Sequence, residues 1–304
     1  MKIYINKASE NWVVDRFREE WYSENQNISS NYFLRSNIIW LISPWTFNHF
    51  YFKIFPNKKY VYSIYHIEDS VRENNYLEIK KIDKFVSCYH TISLKTKTEL
   101  SKITNKKIYY IPFWIDPKKW FEINDKDSLY EKYNLDKKKY LVGSFQRDSL
   151  AVDSFLPKLI KGPDIFLNNV IQLKQNKNKN LCVVLTGRKR DYLINELKNN
   201  NIEYKYFEMA KQSELNELYN CLDLYIVSSR LEGGPQAIVE CGITNTPIVS
   251  TNVGMVEDFL HQDAIYDYDN FLNAKPNNKI LKNNIKKLII PEGFKKFFEM
   301  FESI

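Results

Sequence analysis

Short apolar runs alternate along this chain with longer stretches of helical spacing. In the first half, Lys2–Ile5, Ile38–Ile42, Tyr60–Tyr65, Phe85–Cys88 and Lys107–Ile111 predict strands, with helices over Trp12–Tyr22 and Ser93–Lys102. In the second half the strands are Tyr140–Ser144, Leu181–Leu185, Tyr204–Phe207, Leu224–Val227, Pro247–Ser250 and Ala264–Tyr266. Helices fall between them at Pro163–Gln175, Arg190–Asn199, Ser213–Asn220 and Pro235–Gly242. Strands alternating with helices imply βαβ units and parallel sheets. The pattern pauses between Ile111 and Lys139, where Pro112, Pro117 and a charged stretch break the periodicity. A domain boundary is therefore expected near Trp120. This gives a short first domain over 1–120, a second over 121–285, and a C-terminal helix over 286–304 packing back on the first. The expected class is α/β, with two doubly wound domains facing across a cleft and ligands outside the carboxyl ends of the strands.

Composition sharpens this picture in a few places. The 304 residues suit two domains, and 44% hydrophobic with 27% charged residues is ordinary for a globular chain. Eight glycines and ten prolines leave little material for long linkers. The biased stretch Lys174 to Asn180 reads as a solvated loop after a helix. Cys88, Cys182, Cys221 and Cys241 form no CxxC pair, so buried free thiols in a reducing compartment are the simplest reading. The N-terminus is charged at once, and no run approaches the ~18 apolar residues of a membrane span. A cytoplasmic protein, or one peripheral on the cytoplasmic membrane face, is expected. Lys53 to Lys119 carries 14 Lys and Arg against seven Asp and Glu, an excess equal to the whole net charge of +7. That concentration suits an anionic partner, although a solvated lysine surface would look the same.

The segment Ser228 to Glu240 carries the strongest signal. It follows an apolar strand. Gly233 and Gly234 allow a tight turn and close approach of backbone to a ligand. Pro235 suits the first position of a helix, whose free N–H groups would attract phosphate. Glu232 and Glu240 frame the turn, eight residues apart. Carboxylates hold phosphate poorly but accept hydrogen bonds from sugar hydroxyls. Phosphate donors beside hydroxyl acceptors suit a sugar nucleotide.

This segment resembles the E-x7-E motif of retaining GT-B glycosyltransferases of family 4, the glycosyl transferases group 1. Ser229 before Glu232, and the run from Glu240 through Pro247 to Gly254, extend the likeness over about residues 140–260. Cys241-Gly242 and Asn245 depart from the usual pattern, and Asn245 must adopt a left-handed conformation if the turn is kept. The resemblance implies that Glu232 sits against the donor sugar and Glu240 binds the ribose. It implies a diphosphate clamp of Arg147, after the first strand of the second domain, and Lys161, in a Lys-Gly pair opening a helix. The Leu150–Ile160 stretch between them is longer than usual and reads as an insertion. For either cation alone, a solvated surface position is the ordinary reading. Gly187, with Arg188 beside it, and Met209, in the loop Glu208-Met209-Ala210, match loops that run under the nucleotide and near its base.

In the first domain the resemblance implies that His66 approaches the donor sugar. Glu68 and Asp69 are polar neighbours suited to an acceptor hydroxyl. His90 reads either as an acceptor contact or as a helix cap. The family's Gly-rich loop after the first strand is replaced by Asn6 to Trp12, so the resemblance does not reach the acceptor. The aromatic run Trp45 to Phe55 reads as core or interdomain packing, with an interfacial surface as the alternative.

The activity that the resemblance implies is transfer of a sugar from a nucleoside diphosphate sugar (UDP- or GDP-linked) to a hydroxyl of a glycan, polysaccharide or lipid-linked acceptor, with retention. No bound cofactor or metal is expected, since a clamp made of protein cations would meet the diphosphate. The alternatives are a catalytically silent scaffold or membrane-docking subunit of a glycan assembly complex, and a sugar-nucleotide epimerase. Nucleic acid is not an expected partner, since no recognised binding motif accompanies the basic stretch.

Overall fold

A computed structural model describes residues 1–10, 13–68, 71–150, 153–176 and 180–304. Trp12, expected to begin a helix, and Asp69, expected beside an acceptor hydroxyl, lie outside the described residues. The chain divides into two compact units: Met1–Trp114 together with Pro291–Ile304, and Ile115–Ile290.

The first unit runs β1 (Ile3–Ile5), α1 (Val13–Glu24), β2 (Ile38–Leu41), α2 (Phe50–Ile54), β3 (Lys59–Ser63), α3 (Arg72–Asp83), β4 (Val86–Thr91), α4 (Leu94–Leu100) and β5 (Ile108–Tyr110). Its sheet is parallel with the order β1-β2-β3-β4-β5. Successive side chains of a strand point to opposite faces. Ile39 and Leu41 of β2 accordingly join Phe52, Tyr60, Ile79, Ile82, Tyr89 and Leu100 in one apolar cluster. Trp40 faces the other way, 5.8 Å from Trp21 of α1.

The second unit begins with α5 (Lys126–Lys132) and continues β6 (Tyr140–Ser144), α6 (Pro163–Asn176), β7 (Leu181–Thr186), α7 (Asp191–Asn199), β8 (Glu203–Phe207), α8 (Gln212–Cys221), β9 (Leu224–Val227), α9 (Ala237–Thr244), β10 (Ile248–Thr251), α10 (Val256–Phe259), β11 (Ile265–Tyr266) and α11 (Asn278–Asn284). Its parallel sheet has the order β11-β10-β9-β6-β7-β8. Leu141, Val184, Tyr225 and Ile248 face α5, α8, α9 and α11 in one cluster. Val142, Val183, Ile226 and Val249 face α6 and α7 in the other. Both faces are covered, as parallel sheets require.

After Ile290 the chain returns to the first unit as α12 (Lys295–Glu302). Trp21 is the hub of that return. Its ring centroid lies 5.3 Å from Phe294, 5.7 Å from Phe298 and 5.5 Å from Phe301, and 5.7 Å from Trp114. Trp120, by contrast, packs 5.9 Å from Tyr219 in the second unit. The change of unit therefore falls between two tryptophans, at Ile115. Strand positions follow the apolar runs closely. The elements beyond the expected set are α2, α3, α5, α10 and α11. In α3 only Ile79 and Ile82 are buried, too thin a stripe to read as helical periodicity. Of the stretch from Lys174 to Asn180 expected as a loop, Lys174 to Asn176 belong to α6 and residues 177–179 lie outside the described residues; the Lys174 ammonium caps the carbonyl of Asn201 at 2.7 Å.

His90 is neither an acceptor contact nor a helix cap. It lies in β4, fully buried beside Trp40, Phe113 and Phe297. Trp40 Nε1 donates to Ser63 Oγ at 2.9 Å, and Ser63 in turn donates to His90 Nδ1 at 2.9 Å. His90 Nε2 then donates to the Ile111 carbonyl at 2.8 Å, which fixes its neutral tautomer. The aromatic run also departs from expectation. Phe52 is core, but Trp45, Phe50, Tyr51 and Ile54 are exposed. All four cysteines are buried free thiols. Among the described residues no helix is long and apolar enough to cross a membrane.

Burial pushes the His90 imidazole down from 6.5 to about 4. Below pH 6.5 the unfolded chain binds a proton that the folded one refuses. Stability from this group is complete above pH 6.5 and is lost as pH falls towards 4, by about 3 kcal/mol. Urea titrations across that window should show this slope, and His90→Gln should be less stable at pH 7 but flatter with pH. An unchanged slope in the variant would assign the acid lability elsewhere.

Candidate functional site

In a parallel sheet all strands end on the same edge. In the second unit that edge carries Phe145–Arg147 after β6, Gly187–Arg188 after β7, Glu208–Ala210 after β8 and Ser228–Pro235 after β9. The strand order reverses between β6 and β9, which pair directly through Val142 with Leu224 and Gly143 with Tyr225. Connections diverge at such a point and leave a crevice at the carboxyl ends. The loops after β6 and β9 are therefore neighbours by topology, before any side chain is considered.

Their side chains are joined. Ser229 Oγ lies 3.2 Å from Gln146 Oε1 and 3.1 Å from Glu232 Oε1, so its single hydrogen is shared between them. Gln146 Nε2 donates to the Lys161 carbonyl at 2.9 Å, and the Lys161 ammonium pairs with Glu232 Oε1. Lys161 closes a short 3-10 turn, Leu159–Lys161, just before α6. Gly162 makes the turn possible. Its φ is +60°, and a Cβ there would sit 1.8 Å from the Ser228 carbonyl oxygen. No other residue fits that approach, and the approach is what carries Lys161 to Glu232. Arg230 adds a second tie, with both guanidinium nitrogens on Asp164 at 2.8 and 2.6 Å.

The Glu232 loop is held from the other side by Gly254. Its φ is +55°, and a Cβ there would meet the Gly233 carbonyl oxygen at 2.4 Å. Neither Gly233 nor Gly234 takes a left-handed φ; among the described glycines those are Gly162, Gly187 and Gly254. Helix α9 begins at Ala237, two residues later than expected. Pro235 is therefore not the first helical position. Its carbonyl accepts from Ile238 N at 3.0 Å in the turn that leads into the helix. Glu240 lies in the first helical turn, nearly buried, and Tyr219 donates to its Oε2 at 2.8 Å. Burial, reinforced by that carboxylate, holds the Tyr219 phenol well above its usual value, so it remains a donor. Asn245 ends α9 in the left-handed conformation, φ 59°, as the retained turn demands.

The remaining expected residues sit on the same edge with less convergence. Arg147 is half-buried, and its Nε donates to the Ser149 carbonyl at 2.8 Å in its own loop. Gly187 has φ +94° with open space where a Cβ would be, and Met209 is an exposed residue with φ +51°. His66 is exposed after β3 of the first unit.

Arg190 and Asp148 escape a sequence reading. Arg188-Lys189-Arg190 looks like a solvated cation run, yet the Arg190 side chain is fully buried, with its Nε 2.6 Å from Asp148 Oδ2. Its other nitrogens donate to the Thr186 carbonyl at 3.2 Å and to Ser144 Oγ at 3.3 Å. Burial pushes the Asp148 carboxyl up while Arg190 pulls it back. The pair fastens the loop bearing Arg147 to the ends of β6 and β7. In the same loop, of which residues 151–152 lie outside the described residues, Leu150 N donates to the Leu156 carbonyl at 3.0 Å, and Phe155, Leu156 and Leu159 are exposed.

Residues 133–296 match the family described as Glycosyl transferases group 1, and since this is more than half of the sequence, the chain belongs to that family. Among solved structures it is similar to HepE from Anabaena in complex with UDP and glucose, at 12% identity and TM-score 0.76, with 100% of both chains covered. It is also similar to sucrose-phosphate synthase from Thermosynechococcus elongatus, at 12% identity and TM-score 0.70, over 99% of this chain and 80% of that one. A glycosyltransferase from Rickettsia africae matches at 14% identity and TM-score 0.62, over 98% and 83%. These likenesses show the fold: two parallel-sheet, Rossmann-like α/β domains of the GT-B glycosyltransferase type. No curated protein matches the sequence.

Removing one partner of a buried ion pair leaves the other charged and unsolvated. Arg190→Ala should cost about 3–5 kcal/mol. Adding Asp148→Ala should restore part of that loss, read as the midpoint of urea unfolding. A double variant no more stable than the single one would show that the pairing is not the source of the cost.

Proposed function

We propose that this member of the glycosyl transferases group 1 family transfers a sugar from a nucleoside diphosphate sugar to a hydroxyl acceptor, with retention at the anomeric carbon. The observation that carries the reading is the convergence of Lys161, Glu232, Ser229 and Gln146 at the reversal of strand order, beside the start of α9. Departure of a nucleoside diphosphate builds negative charge on the bridging oxygen. An ammonium and a helix N-terminus aimed at that charge lower the barrier because they are in place beforehand.

In this reading Lys161, Arg147 and the turn Gly233-Gly234-Pro235 receive the diphosphate, and Glu232 accepts hydrogen bonds from the sugar. A diphosphate would compete with Glu232 for Lys161, which suits a carboxylate that trades an ammonium for hydroxyl donors. Glu240 receives the ribose, with its second oxygen fixed by Tyr219. Gly187 and Met209 lie under the nucleoside. His66 is the catalytic candidate of the first unit, on the resemblance and on its exposure after β3. The first unit is the acceptor domain and the second the donor domain. A UDP- or GDP-sugar is the donor class. HepE is described in complex with UDP and glucose, which favours testing UDP first. The acceptor is a glycan or lipid-linked hydroxyl.

Thermal shifts with UDP, GDP, ADP and their sugars are the direct test, because a ligand of the native state raises Tm. One nucleotide should stabilise the chain, and Glu240→Ala should diminish that shift. Lys161→Ala should lower kcat by roughly 10²–10³-fold, the cost of losing one preorganised stabiliser of developing charge. NMR of the product from an α-linked donor should show an α linkage. No shift with any nucleotide would sink the reading and leave a silent scaffold.

A further inference from the structure

From Asn25 to Ile67 the chain carries no Asp or Glu, while Arg35, Lys53, Lys58 and Lys59 all fall inside that span. The structure brings two parts of this stretch, the 32–35 turn and α2, together on the first unit. Phe33 is the seam: its ring lies 5.6 Å from Tyr51 and 5.2 Å from Phe55, joining the 32–35 turn to α2. Lys58 lies 5.3 Å over Phe33 and donates to the Leu34 carbonyl at 3.1 Å, which fixes the junction. Exposed apolar side chains flank this seam. Leu34 is 69% exposed and Phe50 60%, with Tyr32, Tyr51 and Ile54 also exposed. Arg35 stacks over Tyr32 at 4.8 Å, and Arg35 and Lys53 are exposed among these apolar groups.

We propose that this face docks on an anionic lipid bilayer. Tyrosine and phenylalanine beside aliphatic tips place apolar bulk at headgroup depth, and cations at the same level meet lipid phosphate. A local stretch without carboxylates removes the repulsion that an anionic surface would otherwise meet. Leu34 and Ile54 offer a nucleic acid no ring to stack on, and the three exposed cations of the stretch, Arg35, Lys53 and Lys59, are few for a phosphate backbone. The proposal is independent of the donor site, which lies in the second unit.

The test uses the full chain, sedimented with vesicles of phosphatidylcholine alone or mixed with phosphatidylglycerol. The wild type should bind the mixed vesicles, more weakly as salt rises, and bind phosphatidylcholine poorly. Arg35→Ala with Lys53→Ala should weaken binding about thirtyfold, at about 1 kcal/mol for each cation. Phe50→Ser with Ile54→Ser should weaken it by at least about tenfold. Both pairs are exposed, and nucleotide-induced thermal shifts should be the same as in wild type, which separates this result from failure of the donor reading. No binding to the mixed vesicles, or equal binding by wild type and both variants, overturns the proposal. So does a wild-type dimer, seen in sedimentation velocity, that Phe50→Ser with Ile54→Ser dissolves, since the face would then meet a second copy. Tighter binding to an oligonucleotide than to vesicles overturns it as well.

Discussion

The direct pairing of β6 with β9 is the contact on which the second unit is organised. Strands far apart in sequence lie side by side, and the chain leaves their carboxyl ends in opposite directions. Everything chemically notable in this unit follows from that reversal. Gln146 comes from one loop and Ser229 and Glu232 from the other, and they meet because the strands beneath them do. A shift of either strand by one residue would turn its side chains to the opposite face and dissolve the cluster.

Backbone sterics then set the cluster at fine scale. Gly162 against Ser228, and Gly254 against Gly233, are two places where main chain touches main chain with no room for a side chain. Together they grip the Glu232 loop from both sides. Polar groups held in the interior of this unit are given partners: Arg190 with Asp148, and Glu240 with Tyr219. The second unit thus presents its charged groups from a closely packed frame, which is what the proposed stabilisation of a leaving group asks of a protein.

Much of this was legible in the sequence because it rests on local rules. Apolar runs placed all eleven described strands. The turn residues around Glu232 and the Lys161-Gly162 pair point to loops that the structure joins, and Asn245 takes the left-handed conformation that the retained turn requires. Other features depend on partners distant in the chain, and no local rule reaches them. Arg190 reads as one of three surface cations until the fold closes Asp148 over it. His90 sits at a strand end, where a ligand contact is natural, and only the arrival of Phe113 and Phe297 makes it core. The run from Trp45 to Phe55 shows the reverse error. Aromatic density suits packing, yet only Phe52 is buried, and four large apolar side chains of the run, Trp45, Phe50, Tyr51 and Ile54, are exposed. The helices beyond expectation, such as α3 and α5, have thin apolar stripes, so burial against the sheet rather than propensity defines them.

The route of the chain through Trp21 bears on how the protein is made. The first unit leaves its sheet at Trp114 and is completed only by residues after Ile290. On the ribosome, the 1–114 segment emerges first but lacks Phe294, Phe297 and Phe301, which cover Trp21 and Trp40. The Ile115–Ile290 unit, whose sequence is continuous, has all its parts before residues 291–304 are added. The unit begun earlier is therefore sealed later, and its tryptophans stay uncovered until Phe294 to Phe301 have been made.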